Sequence, residues 1–333
     1  MGVALRDILI DYKCPTEWGE LGGVAAIDGN NALYQFLSSI RQPDGTPLMD
    51  QEGRITSHLS GLFFRSVSFI EKGIRPVYVF DGKPPALKAE TLRGRREVRE
   101  TAGERWKEAL KAGDTEEAFK QARSSSRVNA ETVAGSKRLL HLMGIPTIDA
   151  PSEGEAQAAV MAARGEVSYA VSQDYDSLLF GAPLLVRNLT VSGKRKIRGR
   201  SVTVRPERIV LSDLLTGLSI SREDLIMMGI LIGTDFNPGI RGIGPKTALK
   251  IVRQGRFDET LSEKSPDFDP EPIMEFFLHP PAVPAGDLSW TSPDTDGISA
   301  MLCGEYGFSE TRVNAALERM SEHAGQKTLD QWF

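Results

Sequence analysis

The sequence predicts a mixed α/β fold with a largely parallel central sheet flanked by helices. Short apolar, β-branched runs at 24–28 (VAAID) and 76–80 (PVYVF) have the composition of strands buried on both faces. Helical stretches separate them, at Asn31 to Ile40 and Ser57 to Lys72, an alternation that lays strands parallel. Carboxylates stand where the runs end: Asp28, Asp81, and Asp174 after the shorter run Tyr169-Ala170-Val171. In open α/β sheets that edge is the crevice where ligands bind.

The other elements follow in order. Residues 88–123 contain no proline and are rich in Lys, Arg, Glu and Ala, so they form helix with little to bury. Such a polar stretch is either a solvated spacer or a surface for something charged. A helix at 130–143 is closed by Gly144, with Pro146 just beyond. A short strand and the Pro151-Ser152 turn lead into a helix beginning near Glu153, and Tyr169 to Ser172 and Leu184 to Asn188 are further strands. The run VSGKRKIRG predicts a basic hairpin. Ser221 to Gly233 is a helix with Ser221 as N-cap and Asp224 in the capping-box position. Beyond Asp258 the chain is proline-rich and expected to be irregular, with a last helix near 309–323. The organisation expected is a catalytic region at 1–98, the rest of a polar helical segment at 99–129, an internal catalytic region at 130–258, a C-terminal region at 259–325 and a tail at 326–333.

Composition narrows the class. Hydrophobic residues make up 40% of 333, enough for a sizeable core, and no stretch approaches 18 apolar residues, so no membrane span is expected. The start, MGVALRDIL, lacks an apolar secretory core and has Arg6 where a myristoylation signal wants Ser or Thr. Cys14 and Cys303 are expected to be reduced thiols of a cytoplasmic protein, and four dispersed histidines cannot complete a zinc site. The net charge of −5 taken alone argues against nucleic acid as a partner. Its distribution argues otherwise, because residues 83–127 hold twelve basic residues against eight acidic ones.

Seven acids carry the chemistry: Asp28, Asp81, Glu153 and Glu155 (SEGEAQA), Asp174 and Asp176 (SQDYDSLLF), and Asp235 (GTDFNPG). Gathered together they would repel one another and resist ionisation unless cations lay between them. Hard oxygen ligands suit Mg²⁺ or Mn²⁺, and two such ions about 4 Å apart drive phosphodiester hydrolysis. Each pair has a plainer reading: Glu153 and Glu155 as ordinary first-turn acids, Asp174 and Asp176 as an Asx-rich turn. The spacing of Asp174 and Asp176 matches one side of an extended segment. Two such pairs plus three strand-end aspartates argue against coincidence and point to a metal-dependent nuclease.

Basic and aromatic residues complete the set. Lys88 and Arg95 lie seven apart on one helical face and could meet an incoming phosphate, though a solvated helix face accounts for either alone. In GIRGIGPKTALKIVR, Pro245 stands where a phosphate-binding loop needs lysine. Gly242, Gly244 and Pro245 instead predict a tight hairpin between two helices, with Lys246, Lys250 and Arg253 adding charge for sequence-nonspecific contact with a DNA backbone. Tyr34 could stack on a base or fill the core. Gln326, Leu329, Trp332 and Phe333 have the spacing of sliding-clamp-binding peptides, in which one tight helical turn gathers the apolar side chains. The alternative is an aromatic end folded onto its own domain.

Together AIDGNNALYQFL, LMDQEGRITSHLSGLFFR, VYVFDGKPP, APSEGEAQAA, SQDYDSLLFGAP, RNLT and RGIGPK resemble the XPG/Rad2-type structure-specific 5′ nucleases, flap endonucleases of archaeal type, over essentially the whole chain. The resemblance implies a PIN-like 5′ nuclease core that cuts 5′ flaps, with 5′–3′ exonuclease activity, in DNA replication and repair. It assigns two Mg²⁺ ions to the seven acids, gateway roles to Lys88 and Arg95, and stacking to Tyr34. It also implies a helical arch at 83–127 and a helix–two-turn–helix clamp with a monovalent cation at the 242–246 hairpin. NPGIRGIG is one glycine shorter than in archaeal relatives. A monomer that binds flapped DNA and a sliding clamp of the proliferating-cell nuclear antigen type (PCNA) is expected.

Overall fold

The computed structural model of the chain describes residues 2–42, 45–191, 194–197 and 200–324; at 194–197, 200–202, 323 and 324 it describes the backbone alone. Its strands are β1 (Cys14–Pro15), β2 (Gly23–Asp28), β3 (Ile74–Phe80), β4 (Thr147–Asp149), β5 (Tyr169–Val171), β6 (Leu184–Arg187), β7 (Lys194–Ile197), β8 (Arg200–Thr203) and β9 (Glu207–Val210). Seven of them form one sheet in the order β1-β9-β6-β5-β2-β3-β4. The five strands β6-β5-β2-β3-β4 are mutually parallel, and β9 and β1 add an antiparallel edge. β7 and β8 pair as the separate hairpin expected from VSGKRKIRG.

Period-two alternation explains why the central strands are apolar throughout. Val77 and Val79 of β3 face one hydrophobic cluster, while Tyr78 and Phe80 face the other. β2 divides likewise, Ala26 to one side and Ala25 and Ile27 to the other. Both clusters draw on distant parts of the chain: Val3 and Phe277 meet in one, Leu21 and Met320 in the other. The sheet and its two helical layers therefore form a single packed unit.

The polar stretch after Asp81 is a helical hairpin, Ala89–Ala112 and Thr115–Ser124. Its seam is made of small residues, with Ala102 and Ala109 buried on one helix and Ala118 and Ala122 on the other. Small side chains let two charged helices approach closely while their outer faces stay wet. Val98 is 64% exposed on the long helix. That helix runs unbroken through positions 98 and 99, joining the first region to the rest of the helical segment.

The C-terminal third differs from the expected irregular chain. Phe257–Lys264 and Glu271–Leu278 are helices, and Phe277 is fully buried. The prolines behind that expectation instead start a helix: Pro270 is the N-cap of the second one and Pro272 lies in its first turn, where no backbone N–H is needed. The segment after it is extended but pinned, for Val283 exchanges two hydrogen bonds with the Gln157 side chain (2.7 and 2.9 Å). Trp290 donates to the Pro76 carbonyl oxygen at 2.8 Å.

Candidate active site

The parallel strands end on one basin, and the loops after them supply its acids. Asp28 closes β2 and caps the helix Gly29–Ser39, accepting the Asn31 N–H at 2.9 Å. Asp81, just past β3, accepts the Gly154 N–H and the Asn30 amide, each at 2.7 Å. Glu153 is the N-cap residue of the helix Gly154–Ala163, and Glu155, in its first turn, accepts the Ser177 N–H at 2.8 Å. Asp174 accepts the Gly2 N–H at 3.0 Å and the Asn31 amide at 3.1 Å, and Asp176 accepts the Val3 N–H at 2.6 Å. Asp235 follows the helix Arg222–Ile232 and reaches in from the opposite wall.

The seven acids come together, though not in every case as expected. Asp174 and Asp176 are not on one extended segment. Asp176 is the first residue of a short helix, Asp176–Leu179, and the chain turns between the two. They share a side because backbone donors of residues 2 and 3 hold both. Lys88 ends a tight turn at Ala86–Lys88 rather than lying on the long helix, and its ammonium pairs with Glu153 and, at 3.2 Å, with Asp235. Arg95, from the arch helix, pairs with the same aspartate.

Electrostatics show what gathering these groups costs. Burial and the neighbouring Asp81 raise Asp28 well above the usual carboxylate range. Burial and Asp176 do the same for Glu155. Asp176, only 3% exposed, is pushed up to about 7 by burial and by Asp235. Crowding by protein also raises Asp81, although that residue is exposed at the rim. Burial raises Glu153 despite its contact with Lys88. Asp235 goes the other way: burial would raise it, but positive charge around it, from Lys88 first and Arg95 as well, together outweighs the burial. Lys88 in turn is raised, burial notwithstanding, by Glu153 and Asp235.

Among the described residues, no three acidic, histidine or cysteine side chains stand at metal-ligating distances of one another. The basin nevertheless has the chemistry of a divalent-ion site. Its donors are all oxygen, most of them resist ionisation as they stand, and among the described residues two side-chain cations, Lys88 and Arg95, pair with them. Two buried polar atoms beside it, Asn30 Oδ1 and Ser152 Oγ, have no hydrogen-bond partner among the described residues. Hydrated ions would satisfy both deficits.

Away from the basin, the helices Arg222–Ile232 and Pro245–Arg253 flank a turn where Gly242 takes a left-handed φ of 88°. Gly244 caps the second helix, Pro245 opens it, and Lys246 and Lys250 are exposed beside Arg241. Arg253, exposed on the same helix, also donates to the Leu218 carbonyl oxygen at 2.8 Å. Tyr34 is 39% exposed rather than a core residue, and lies within electrostatic reach of Arg99 on the arch. Gln326, Leu329, Trp332 and Phe333 lie outside the described residues. Sequence reading missed Gly2, Val3, Asn30, Asn31 and Ser177, which hold the acids. The two asparagines stood in view within AIDGNN, whereas nothing local links residues 2 and 3 to a loop some 170 positions away.

Comparison with known proteins accounts for this arrangement. The chain matches the XPG N-terminal domain over residues 9–102 and the XPG I-region over 144–235. It is 67% identical to flap endonuclease 1 of Methanosphaerula palustris over 333 residues, covering all of both chains. The chain belongs to the flap endonuclease family. It is also 53% identical to flap endonuclease 1 of Pyrococcus furiosus, covering all of this chain and 99% of that one. The solved structure of flap endonuclease-1 from Methanococcus jannaschii matches with a TM-score of 0.78 at 42% identity, over 96% of this chain and 99% of that one. The catalytic core of Rad2 in complex with DNA substrate shares the fold, with a TM-score of 0.70 at 23% identity over 94% of this chain and 98% of that one.

Proposed function

We propose that this flap endonuclease cuts 5′ flaps at their junction with duplex DNA by divalent-metal-dependent hydrolysis, with 5′–3′ exonuclease activity, in replication and repair. The observation that carries it is the convergence of Asp28, Asp81, Glu153, Glu155, Asp174, Asp176 and Asp235 on one basin beneath Lys88 and Arg95. The seven acids would hold two Mg²⁺ ions, or Mn²⁺ in their place. Such ions, when bound, supply an activated water and neutralise charge at the scissile phosphate. Lys88 and Arg95 then turn from their carboxylate partners to the phosphate oxygens, where charge builds as the bond breaks. Tyr34 stacks on a base beside that bond, and Lys246 and Lys250 grip the duplex backbone.

A labelled double-flap substrate tests the reaction. Cleavage is expected at the flap junction with Mg²⁺ and none after chelation. Equal cleavage with chelator, or equal cutting of unflapped duplex, would overturn the reading.

The partner is a sliding clamp of the PCNA type, on the spacing of Gln326, Leu329, Trp332 and Phe333. Deleting 326–333 is expected to leave intrinsic cleavage unchanged and to remove stimulation by the clamp. Titrating the clamp into reactions of both forms decides it, equal stimulation of the truncated chain being the refuting outcome.

A further inference from the structure

The first residues of the chain enter the basin from beneath. Val3 and Leu5 are buried in the core and fix the backbone before them. The amides of residues 2 and 3 thereby point upward, and each meets a different acid: Gly2 N to Asp174 Oδ1 at 3.0 Å and Val3 N to Asp176 Oδ1 at 2.6 Å. The approach is close enough to exclude a side chain at position 2. A Cβ there would lie 2.5 Å from Asp176 Oδ1, 2.8 Å from its Cγ and 3.0 Å from the Asp174 Cβ. A long surface side chain could swing away from such a clash. Asp176 is buried, and moving its carboxylate is the very displacement that matters.

We propose that the Gly2–Val3 amides are a positioning element of the active site, setting Asp174 and Asp176 in register, and that position 2 must be glycine for this reason. The inference rests on the divalent-metal reading above. An added methyl group would displace the Asp176 carboxylate by roughly 1 Å, a misplacement that costs on the order of a hundredfold in rate when it disturbs a catalytic constellation. The core contacts of Val3 and Leu5 are untouched by the change.

The test is Gly2→Ala in the full chain, with four measurements beside wild type. These are single-turnover flap cleavage, Mn²⁺ binding by calorimetry, flap-DNA affinity in Ca²⁺, and Tm. Cleavage is expected to fall tenfold to a hundredfold and the Mn²⁺ midpoint to rise several-fold, with DNA affinity and Tm unchanged. A second variant, semisynthetic with an ester in place of the 2–3 amide, removes the Val3 N–H without adding volume and should also weaken Mn²⁺ binding. Wild-type rate and Mn²⁺ midpoint in both variants would overturn the proposal, as would a loss of rate that merely tracks a loss of Tm. A wild-type enzyme that cleaves without divalent ion would overturn the metal reading as well. A metal-dependent wild type with both variants unaffected overturns this inference alone.

Discussion

Asp176→Asn should lose nearly all flap cleavage and, without metal, melt at a higher temperature than wild type. The two effects have one cause. Asp176 is buried, faces Asp235 and Asp174, and is pushed up to about 7 by that setting. As an ionised group it is therefore a liability to the fold and an asset to the reaction. Losing one metal ligand costs several kcal/mol of transition-state stabilisation, on the order of a thousandfold or more in rate. Replacing a buried, repelled carboxylate with a neutral amide of the same shape relieves on the order of a few kcal/mol at neutral pH. For a chain of this size that is several degrees of Tm.

The sign with pH is fixed. The folded state holds the Asp176 proton to a higher pH than the unfolded chain does, so this group's contribution lowers stability as pH rises from about 4 to about 7 and is constant above. The Tm gain of Asp176→Asn should thus be greatest above pH 7 and vanish near pH 4, with chelator present. Saturating Mg²⁺ should reverse the order, because bound ions stabilise only the wild-type basin. Calorimetry in EDTA and in Mg²⁺ measures both. Wild-type cleavage by the variant would remove Asp176 from the site, and a lower metal-free Tm would show that its charge is not a burden.

How much of this was legible in the sequence depends on the range of the interactions involved. Strands β2 and β3 could be read directly, because burial on both faces demands an unbroken apolar run, and an acid at the end of such a run must lie at the sheet edge. The arch was legible by default, since a long stretch without proline and with little to bury leaves few alternatives. Strands β1 and β9 were not, being short strands at the antiparallel end of the sheet, with Arg208 and Glu207 breaking the apolar signal of β9. The helix at Glu271–Leu278 was hidden by prolines that, in its first turn, favour it. At the site, the acids were visible as residues, but their supports were not. Val3 acts through its backbone N–H, which leaves no mark on side-chain identity, while the small residues Gly2 and Ser177 have no meaning until the fold sets them against Asp176 and Glu155.

Lys88→Ala and Arg95→Ala should each slow single-turnover cleavage on the order of a hundredfold while changing flap-DNA affinity little. Both cations lean on acids in the structure, Lys88 on Glu153 and Asp235, Arg95 on Asp235. Seven carboxylates would outweigh even two divalent ions among them before a phosphate arrives, so fixed positive charge matters most when charge develops in the transition state. An interaction realised mainly there raises the rate constant rather than ground-state binding. Lys246→Ala should do the opposite. Lys246 is exposed at the start of the Pro245–Arg253 helix, away from the basin, where a phosphate would meet both its ammonium and free backbone N–H groups. Its loss should weaken binding several-fold to every sequence alike, reduce the slope of affinity against salt by about one, and leave single-turnover cleavage at saturating enzyme unchanged. Measuring rate and affinity for all three variants across a salt series separates the two roles. A Lys88→Ala enzyme that loses affinity and rate in equal measure would make Lys88 a binding residue. A Lys246→Ala enzyme with altered base preference would show that the hairpin reads bases rather than gripping the backbone.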